Sequence, residues 1–276
     1  MLRISEYHRP RTLDEALALL QRGQTSVPLA GGTELAPSRA PYAQAVVDLQ
    51  ALGLDELSVE GFHMHIGAMV PLQRLVESSV VGEFLAESAH LEGPITYRNA
   101  ATVGGTVASG DSLSHVLIAL LALDAEVHLR LPGPATVSLD RLLDDPHKFL
   151  DGGLITSVTA LSPDGAPGTA MVRVARTPRD RPIVAAAACV IRESERCGGA
   201  RIALAGVANR PIRIYEAEDR LKGQPFDREL VDATLKAAVE RLKPPSDFKG
   251  SGEYRREMAA VLTRRALLEA WDRLAQ

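Results

Sequence analysis

Two glycine-paired stretches decide how this chain is read: Leu29-Ala30-Gly31-Gly32-Thr33-Glu34-Leu35, and Ala101-Thr102-Val103-Gly104-Gly105-Thr106-Val107-Ala108-Ser109-Gly110-Asp111. The first follows directly on an apolar run, Val27 to Ala30, that reads as a short buried strand. Adjacent glycines let a backbone bend sharply and approach a ligand with no Cβ in between. Successive amides in such a bend make a concave nest for phosphate oxygens. The plain alternative is that each pair only makes a tight turn. Neither stretch contains Lys or Arg. A bound diphosphate would therefore rest on main-chain N–H groups, leaving Glu34 and Asp111 to accept hydrogen bonds from sugar or ribityl hydroxyls. No Gly-x-Gly-x-x-Gly occurs, and the P-loop frame from Gly105 to Ser112 carries Asp111 where a lysine must stand. A carboxylate there repels terminal phosphates, so the pattern suits a hydroxyl-rich dinucleotide such as FAD and not ATP.

Outward from these stretches the elements alternate. Thr12-Leu13-Asp14-Glu15 is a capping box opening a helix with Leu13, Ala16, Leu17 and Leu20 on one face, ended by Gly23. Ala45 to Leu49 reads as a strand. Between Leu54 and Ala68 short strands put Met64 and Ile66 on one face and His63 and His65 on the other. Pro71 opens a helix, a second covers Phe84 to His90, and Gly93 to Asn99 is irregular. The apolar block Leu113 to Leu123 makes a buried helix and Ala125 to Leu131 a strand, with a turn at Pro132-Gly133-Pro134. The breaker-rich segment Ser162 to Gly168 marks a domain boundary. Beyond it lie strands at Ala170–Val174, Ile183–Ile191 and Arg201–Ala205, then helices from Asp227 to Leu242 and from Gly252 onward, the last carrying Val261, Leu262, Leu268 and Trp271. The expected architecture is α+β in two domains.

Bulk properties exclude several classes. The 276 residues carry a net charge of −4 with both signs interspersed, which argues against nucleic-acid binding. Two cysteines, Cys189 and Cys197, argue against a disulfide-stapled fold and for a reducing cytoplasm. The opening residues lack a long apolar run, and the block at Leu113–Leu123 is shorter than the roughly 20 residues a membrane span needs. A soluble cytoplasmic protein with no membrane contact is expected.

The order Ala30-Gly31-Gly32-Thr33-Glu34-Leu35, Arg98-Asn99-Ala100-Ala101-Thr102-Val103-Gly104-Gly105, Leu120-Leu121-Ala122-Leu123-Asp124-Ala125-Glu126-Val127 and Glu253-Tyr254-Arg255-Arg256 with Val261 to Leu267 resembles the FAD-binding subunit of the xanthine dehydrogenase and carbon monoxide dehydrogenase family. Tyr7-His8-Arg9-Pro10 resembles its usual opening. The resemblance implies a two-part FAD-binding domain of the vanillyl-alcohol-oxidase-like type over residues 1–165, with parts at about 1–53 and 54–165. A smaller C-terminal α/β domain over 169–276 would follow. It further implies that Leu29, Ala30, Gly31, Gly32, Thr33, Glu34 and Leu35, with Thr102, Gly104, Gly105, Thr106 and Ser109, wrap the diphosphate and ribityl chain. Asp111 and Ser114 would serve nearby hydroxyls, Leu154 and Ile155 would form an apolar pair facing the flavin, and Arg173 would be a basic contact from the second domain. Where the family reads Asn, Pro and Asp, this chain has Thr106, Ser112 and His115.

Two cysteines cannot hold an iron–sulfur cluster, which takes four thiolates. What the resemblance implies is therefore an electron-transfer subunit. An iron–sulfur subunit with 2Fe–2S clusters and a large molybdopterin subunit would be its partners, and NAD, a quinone or oxygen its acceptor. The isoalloxazine does the chemistry, so no catalytic side chain and no metal site is expected in this chain. A structural subunit that has lost tight FAD binding is the alternative, and a stand-alone flavin oxidase a third. The remaining residues have plain readings beside functional ones. His63 and His65 form a solvated strand face or half a metal site. His115 is a hydrogen-bonded core histidine or a flavin neighbour. Cys189 is inert packing and Cys197 a loop thiol. The arginines at 173, 176, 179 and 181, and at 255, 256, 264 and 265, are solvated faces, the first group alternatively meeting flavin or an acidic partner.

Overall fold

The computed structural model describes residues 4–22, 25–34, 43–162 and 167–274. Leu35, Gly23 and most of the breaker-rich boundary lie outside the described residues.

The chain opens with β1 (Glu6–His8), α1 (Leu13–Leu20), β2 (Ser26–Leu29) and β3 (Ala45–Asp48), in a parallel sheet of order β1-β3-β2. Thr12 caps α1, its hydroxyl accepting from the Glu15 amide at 3.2 Å. The Glu15 carboxylate reaches one residue further out than a capping box requires, to the Arg11 amide at 3.0 Å. Ala16, Leu17, Leu19 and Leu20 pack on Val47, Leu49 and Leu154 in a small core of their own.

A helical layer and a second sheet follow: β4 (Leu57–Glu60), β5 (His63–Gly67), α2 (Leu72–Glu77), α3 (Gly82–His90), α4 (Ile95–Ala100), α5 (Val103–Ser109), α6 (His115–Ala122), β6 (Glu126–Arg130), β7 (Pro134–Ser138), α7 (Leu139–Asp144), α8 (Pro146–Leu150) and β8 (Leu154–Leu161). The sheet is antiparallel, ordered β4-β5-β8-β6-β7. Met64 and Ile66 are fully buried while His63 and His65 face outward, as their alternation requires. All eight residues of α6 are buried.

Two segments differ from the sequence reading. Gly93 to Asn99 is not irregular throughout: Pro94 sets an extended N-cap and α4 begins at Ile95. The second glycine stretch is not a loop either. Thr102 caps a true helix there, so Gly104 and Gly105 occupy its first turn. Helix-poor glycines are tolerated at these places because the cap and tertiary packing outweigh their low propensity. β8 carries no clean alternation because the register shifts between His128 and Leu129. Thr156 is the extra residue of this bulge, clamped by its hydroxyl to the His128 carbonyl at 3.1 Å. Ahead of the bulge the ordinary pleat sends Leu154 into the small core under α1 and Ile155 into the main core.

The last third holds β9 (Gly168–Val174), β10 (Val184–Glu193), β11 (Arg196–Ala205), β12 (Ile212–Arg213), α9 (Tyr215–Leu221), α10 (Arg228–Glu240) and α11 (Gly252–Arg273). Its antiparallel sheet has the order β12-β11-β10-β9. The alanine run of β10 serves both faces. Ala185, Ala187 and Cys189 belong to the core around α6, and Ala186, Ala188 and Val190 to the core under α9, α10 and α11. Small side chains let helices approach this sheet closely from both sides.

The rim of that contact is charged. Arg210 meets Asp140 and Asp144, both at 2.9 Å, and Arg213 and Arg201 meet Asp124 at 2.6 and 3.2 Å. Arg181 pairs with Asp111, and the Gly206 amide donates to the Ser112 carbonyl at 2.9 Å. The bases lie on the C-terminal side and the acids on the other.

Two expectations about solvated groups are corrected. Cys197 is not a loop thiol but a buried residue of β11, and burial pushes its thiol up to about 11. Arg255 is not on a solvated face. It is buried and donates to the carbonyls of Ile183 at 2.6 Å and Gly206 at 2.9 Å and to the Asp247 carboxylate at 2.8 Å. Periodicity puts an arginine on a face but says nothing of the carbonyls left unpaired opposite it. Among the described residues no helix is long and apolar enough to cross a membrane.

Candidate cofactor cleft

Where β2 ends, the chain bends through Ala30 to Glu34 and meets the end of α4. A Cβ on Gly31 would lie 1.7 Å from the Ala100 carbonyl oxygen, so no other residue fits this crossing. Gly32 follows with φ of 71°, the left-handed region that favours glycine. Among the described residues, no acceptor takes the amide hydrogens of Gly31, Gly32 or Thr33.

The second stretch behaves differently. The amides of Val103 and Gly104 donate to the carbonyls of Val70 at 3.0 Å and Ala68 at 2.8 Å, and that of Gly105 to Thr102 Oγ1 at 3.1 Å. The first-turn donors that usually attract anions are thus already satisfied. Gly104 is needed for packing, since a Cβ there would lie 2.7 Å from the Ala68 Cβ. Gly105 and Ser109 line the space in front of the first bend.

Between the two stretches lies a cleft of about 410 Å³, inside the range of roughly 300–1,000 Å³ usual for small-molecule sites. It joins Leu29, Ala30, Gly31, Gly32, Thr33 and Glu34 to Thr102, Gly104, Gly105, Ser109 and Ile155, with Leu154 beside them. Val27, Pro28, Leu49, Ala68, Met69, Ala108, Leu150 and Gly153 complete the wall. These last eight were not singled out from sequence. Of them only Gly153 carried a signal, a glycine whose Cβ would stand 2.5 Å from the Phe149 carbonyl oxygen. Glu34 is the only charged residue among the described lining residues.

Four other candidates lie off this lining. The Thr106 hydroxyl turns back to the Thr102 carbonyl at 3.0 Å. Asp111 accepts from the Leu113 amide at 3.1 Å and pairs with Arg181. Ser114 caps α6 and donates to the Glu92 carboxylate, which also accepts from the Val116 amide at 2.9 Å. Arg173 donates to the main-chain oxygens of Asp180, at 2.8 Å, and Pro178.

Asp111, Ser114 and Arg173 form, with Glu92 and Arg181, a polar cluster where the C-terminal sheet meets the preceding part of the chain. His115 lies within it, 1 % exposed, and its Nε2 has no hydrogen-bond partner among the described residues. Burial, then the charges of Arg173 and Arg181, bring its imidazole down to about 3, so the ring is neutral. Burial raises the Glu92 carboxyl above its ordinary range against the pull of Ser114 and Val116. Tyr97, raised by burial and then by Glu92 and Glu34, connects this cluster to the first bend.

Comparison with known proteins agrees with this geometry. Residues 3–160 match the family described as the FAD binding domain in molybdopterin dehydrogenase, and residues 170–270 the CO dehydrogenase flavoprotein C-terminal domain. The carbon monoxide dehydrogenase medium chain of Afipia carboxidovorans is 31% identical over 96% of this chain and 96% of its own. The nicotine 6-hydroxylase medium subunit of Paenarthrobacter nicotinovorans is 30% identical, with 97% of each chain covered. Among solved structures, a chain of the carbon monoxide dehydrogenase from Hydrogenophaga pseudoflava superposes with a TM-score of 0.90 at 30% identity, covering 99% of both chains. With a largely apolar cleft lined by both glycine stretches and matches running nearly its full length, this chain belongs to the FAD-binding medium subunits of the molybdenum hydroxylases.

Proposed function

We propose that this chain holds FAD in the cleft and passes electrons from an iron–sulfur subunit to an external acceptor, as part of a complex whose large subunit carries molybdopterin. The observation that carries this reading is the row of amides at Gly31, Gly32 and Thr33 that find no acceptor among the described residues, in a bend lining a cleft whose described lining has no cation. Such a row suits a diphosphate held by main-chain dipoles. Leu35 continues that bend in sequence. Glu34, Thr102 and Ser109 then serve hydroxyls, and Leu154 and Ile155 supply the apolar wall. Asp111, Ser114 and Arg173 extend the site toward the polar cluster. When bound, the isoalloxazine supplies the redox chemistry, and the protein binds and orients it and excludes water. NAD, a quinone or oxygen would be the acceptor. The chain divides functionally into a cofactor domain over 1–165 and a closing domain over 169–276, and works in the cytoplasm without nucleic acid or membrane.

The purified chain, supplied with FAD and freed of excess, is expected to retain it and absorb near ~450 nm as bound flavins do. A colourless protein after reconstitution overturns the reading. The occupied amides of α5 and the inward hydroxyl of Thr106 favour a second reading, a structural subunit with weak FAD binding. Colourless protein that still assembles with both partner subunits is the outcome expected of it.

A further inference from the structure

The outer face of the five-stranded sheet carries a group used by neither cleft nor core. Pairing of β5 with β8 sets His65 opposite Thr159, and pairing of β8 with β6 sets Thr159 opposite Glu126. Paired residues share a face, and His128 stands two places from Glu126 on that same face. His128 Nε2 lies 2.7 Å, and His65 Nδ1 3.2 Å, from one oxygen, Thr159 Oγ1. Two imidazole nitrogens from strands on either side of β8 thus converge on one point. The ring of His128 is also held from behind, its Nδ1 lying 3.0 Å from Thr136 Oγ1 on β7.

We propose that His65 and His128 form a two-histidine chelate for a borderline divalent cation, Zn²⁺, Ni²⁺ or Cu²⁺, bridging β5 and β6 across β8. Imidazole donors select these ions over Mg²⁺ and Ca²⁺. The Thr136 contact is the outer hydrogen bond that metal-ligating histidines characteristically make. With the Nδ1 proton donated to Thr136, the lone pair of His128 Nε2 points to the site. Among the described residues no third His, Cys, Asp or Glu is already in place. Water and, after side-chain rotation, the exposed Glu126 carboxylate complete the coordination. Thr159 gives up its hydrogen bonds to the ion, which keeps affinity moderate. The site is separate from the cleft: Thr159 stands four residues along β8 from Ile155, about 13 Å.

The test uses the full untagged chain, stripped with chelator and titrated with Zn²⁺ or Ni²⁺ by calorimetry and by thermal melting. Saturable binding of one equivalent is expected, with a rise in Tm that chelator reverses, because the ion binds only the folded sheet. His65→Ala and His128→Ala should each weaken binding at least about tenfold, and Thr136→Val, which removes no ligand, by about tenfold or more. His63→Ala, altering an exposed neighbour on the same face, should leave binding intact. Absence of one-equivalent binding in the parent chain overturns the proposal. So does unchanged affinity in His128→Ala or Thr136→Val, or loss of binding in His63→Ala alone. Thr136→Val keeps the test decisive should an alanine variant fail to fold.

Discussion

Gly31 touches the carbonyl of Ala100 so closely that a Cβ would sit 1.7 Å from its oxygen. This crossing locks the first bend, whose amides find no acceptor among the described residues, onto the helix that leads into the second. Gly31→Ala must push the bend away from α4 and spoil the alignment of the amides of Gly31, Gly32 and Thr33. The expected result is protein that purifies with little FAD, read as the ratio of flavin to protein absorbance. Gly32→Ala should be milder, costing roughly 1–2 kcal/mol for its left-handed backbone. Full flavin retention by Gly31→Ala would remove the crossing from the binding argument.

Arg181 and Asp111 join the C-terminal sheet to the segment following α5. Asp111 also caps the Leu113 amide, so its carboxylate organises the approach to Ser114 and His115. Asp111→Asn and Arg181→Ala are each expected to weaken FAD binding several-fold, and the double variant no more than the worse single one. Partners in one contact are not additive. Because the pair is partly exposed, the single effects should shrink as salt is raised. Flavin fluorescence titration measures this, and strictly additive losses would show the two residues acting separately.

His115 predicts a pH dependence of stability. Its imidazole is held down to about 3 in the folded chain by burial first, against an ordinary 6.5. Below 6.5 the unfolded chain therefore takes up a proton that the folded chain refuses. Stability is fully present above that value and lost as pH falls toward 3, with a slope of about 1.4 kcal/mol per pH unit. Between pH 6.5 and about 5 the parent should lose roughly 2 kcal/mol more than His115→Gln. Urea unfolding at the two pH values gives both slopes, and equal slopes would refute a buried neutral ring.

Arg255 pins three connecting segments by donating to Ile183, Gly206 and Asp247. Arg255→Ala strips the carbonyls of Ile183 and Gly206 of a buried donor and should cost roughly 1–3 kcal/mol for each acceptor left unsatisfied. Arg264→Ala, with an exposed pair to Asp232, should stay within about 0.5 kcal/mol. Denaturant midpoints of the two variants decide the matter, and similar midpoints would contradict the burial.

Much of this molecule could be read from its residues. The cap at Thr12, the alternation of Met64 and Ile66, the wholly apolar α6 and the strands from Ala170 onward follow from period and local chemistry, which act over a few residues. The first glycine pair was legible as a bend for the same reason. The second was legible only as a glycine pair. That it starts a helix depends on Thr102 turning its hydroxyl to Gly105 and on Val70 and Ala68 accepting the next amides. Those acceptors lie more than thirty residues away in the chain, in the case of Gly104 on Ala68.

The order of most elements, the resemblance that pointed to the family and the lack of Lys or Arg in the two glycine stretches were thus legible in the linear chain, because hydrophobic period, breakers and charge are local properties. Three things belonged to the folded chain alone: which amides find no acceptor among the described residues, where Arg255 and Cys197 end up, and that His128 faces His65 across Thr159. Each depends on partners brought together by strand register and packing, and no window of sequence contains both sides of such a contact.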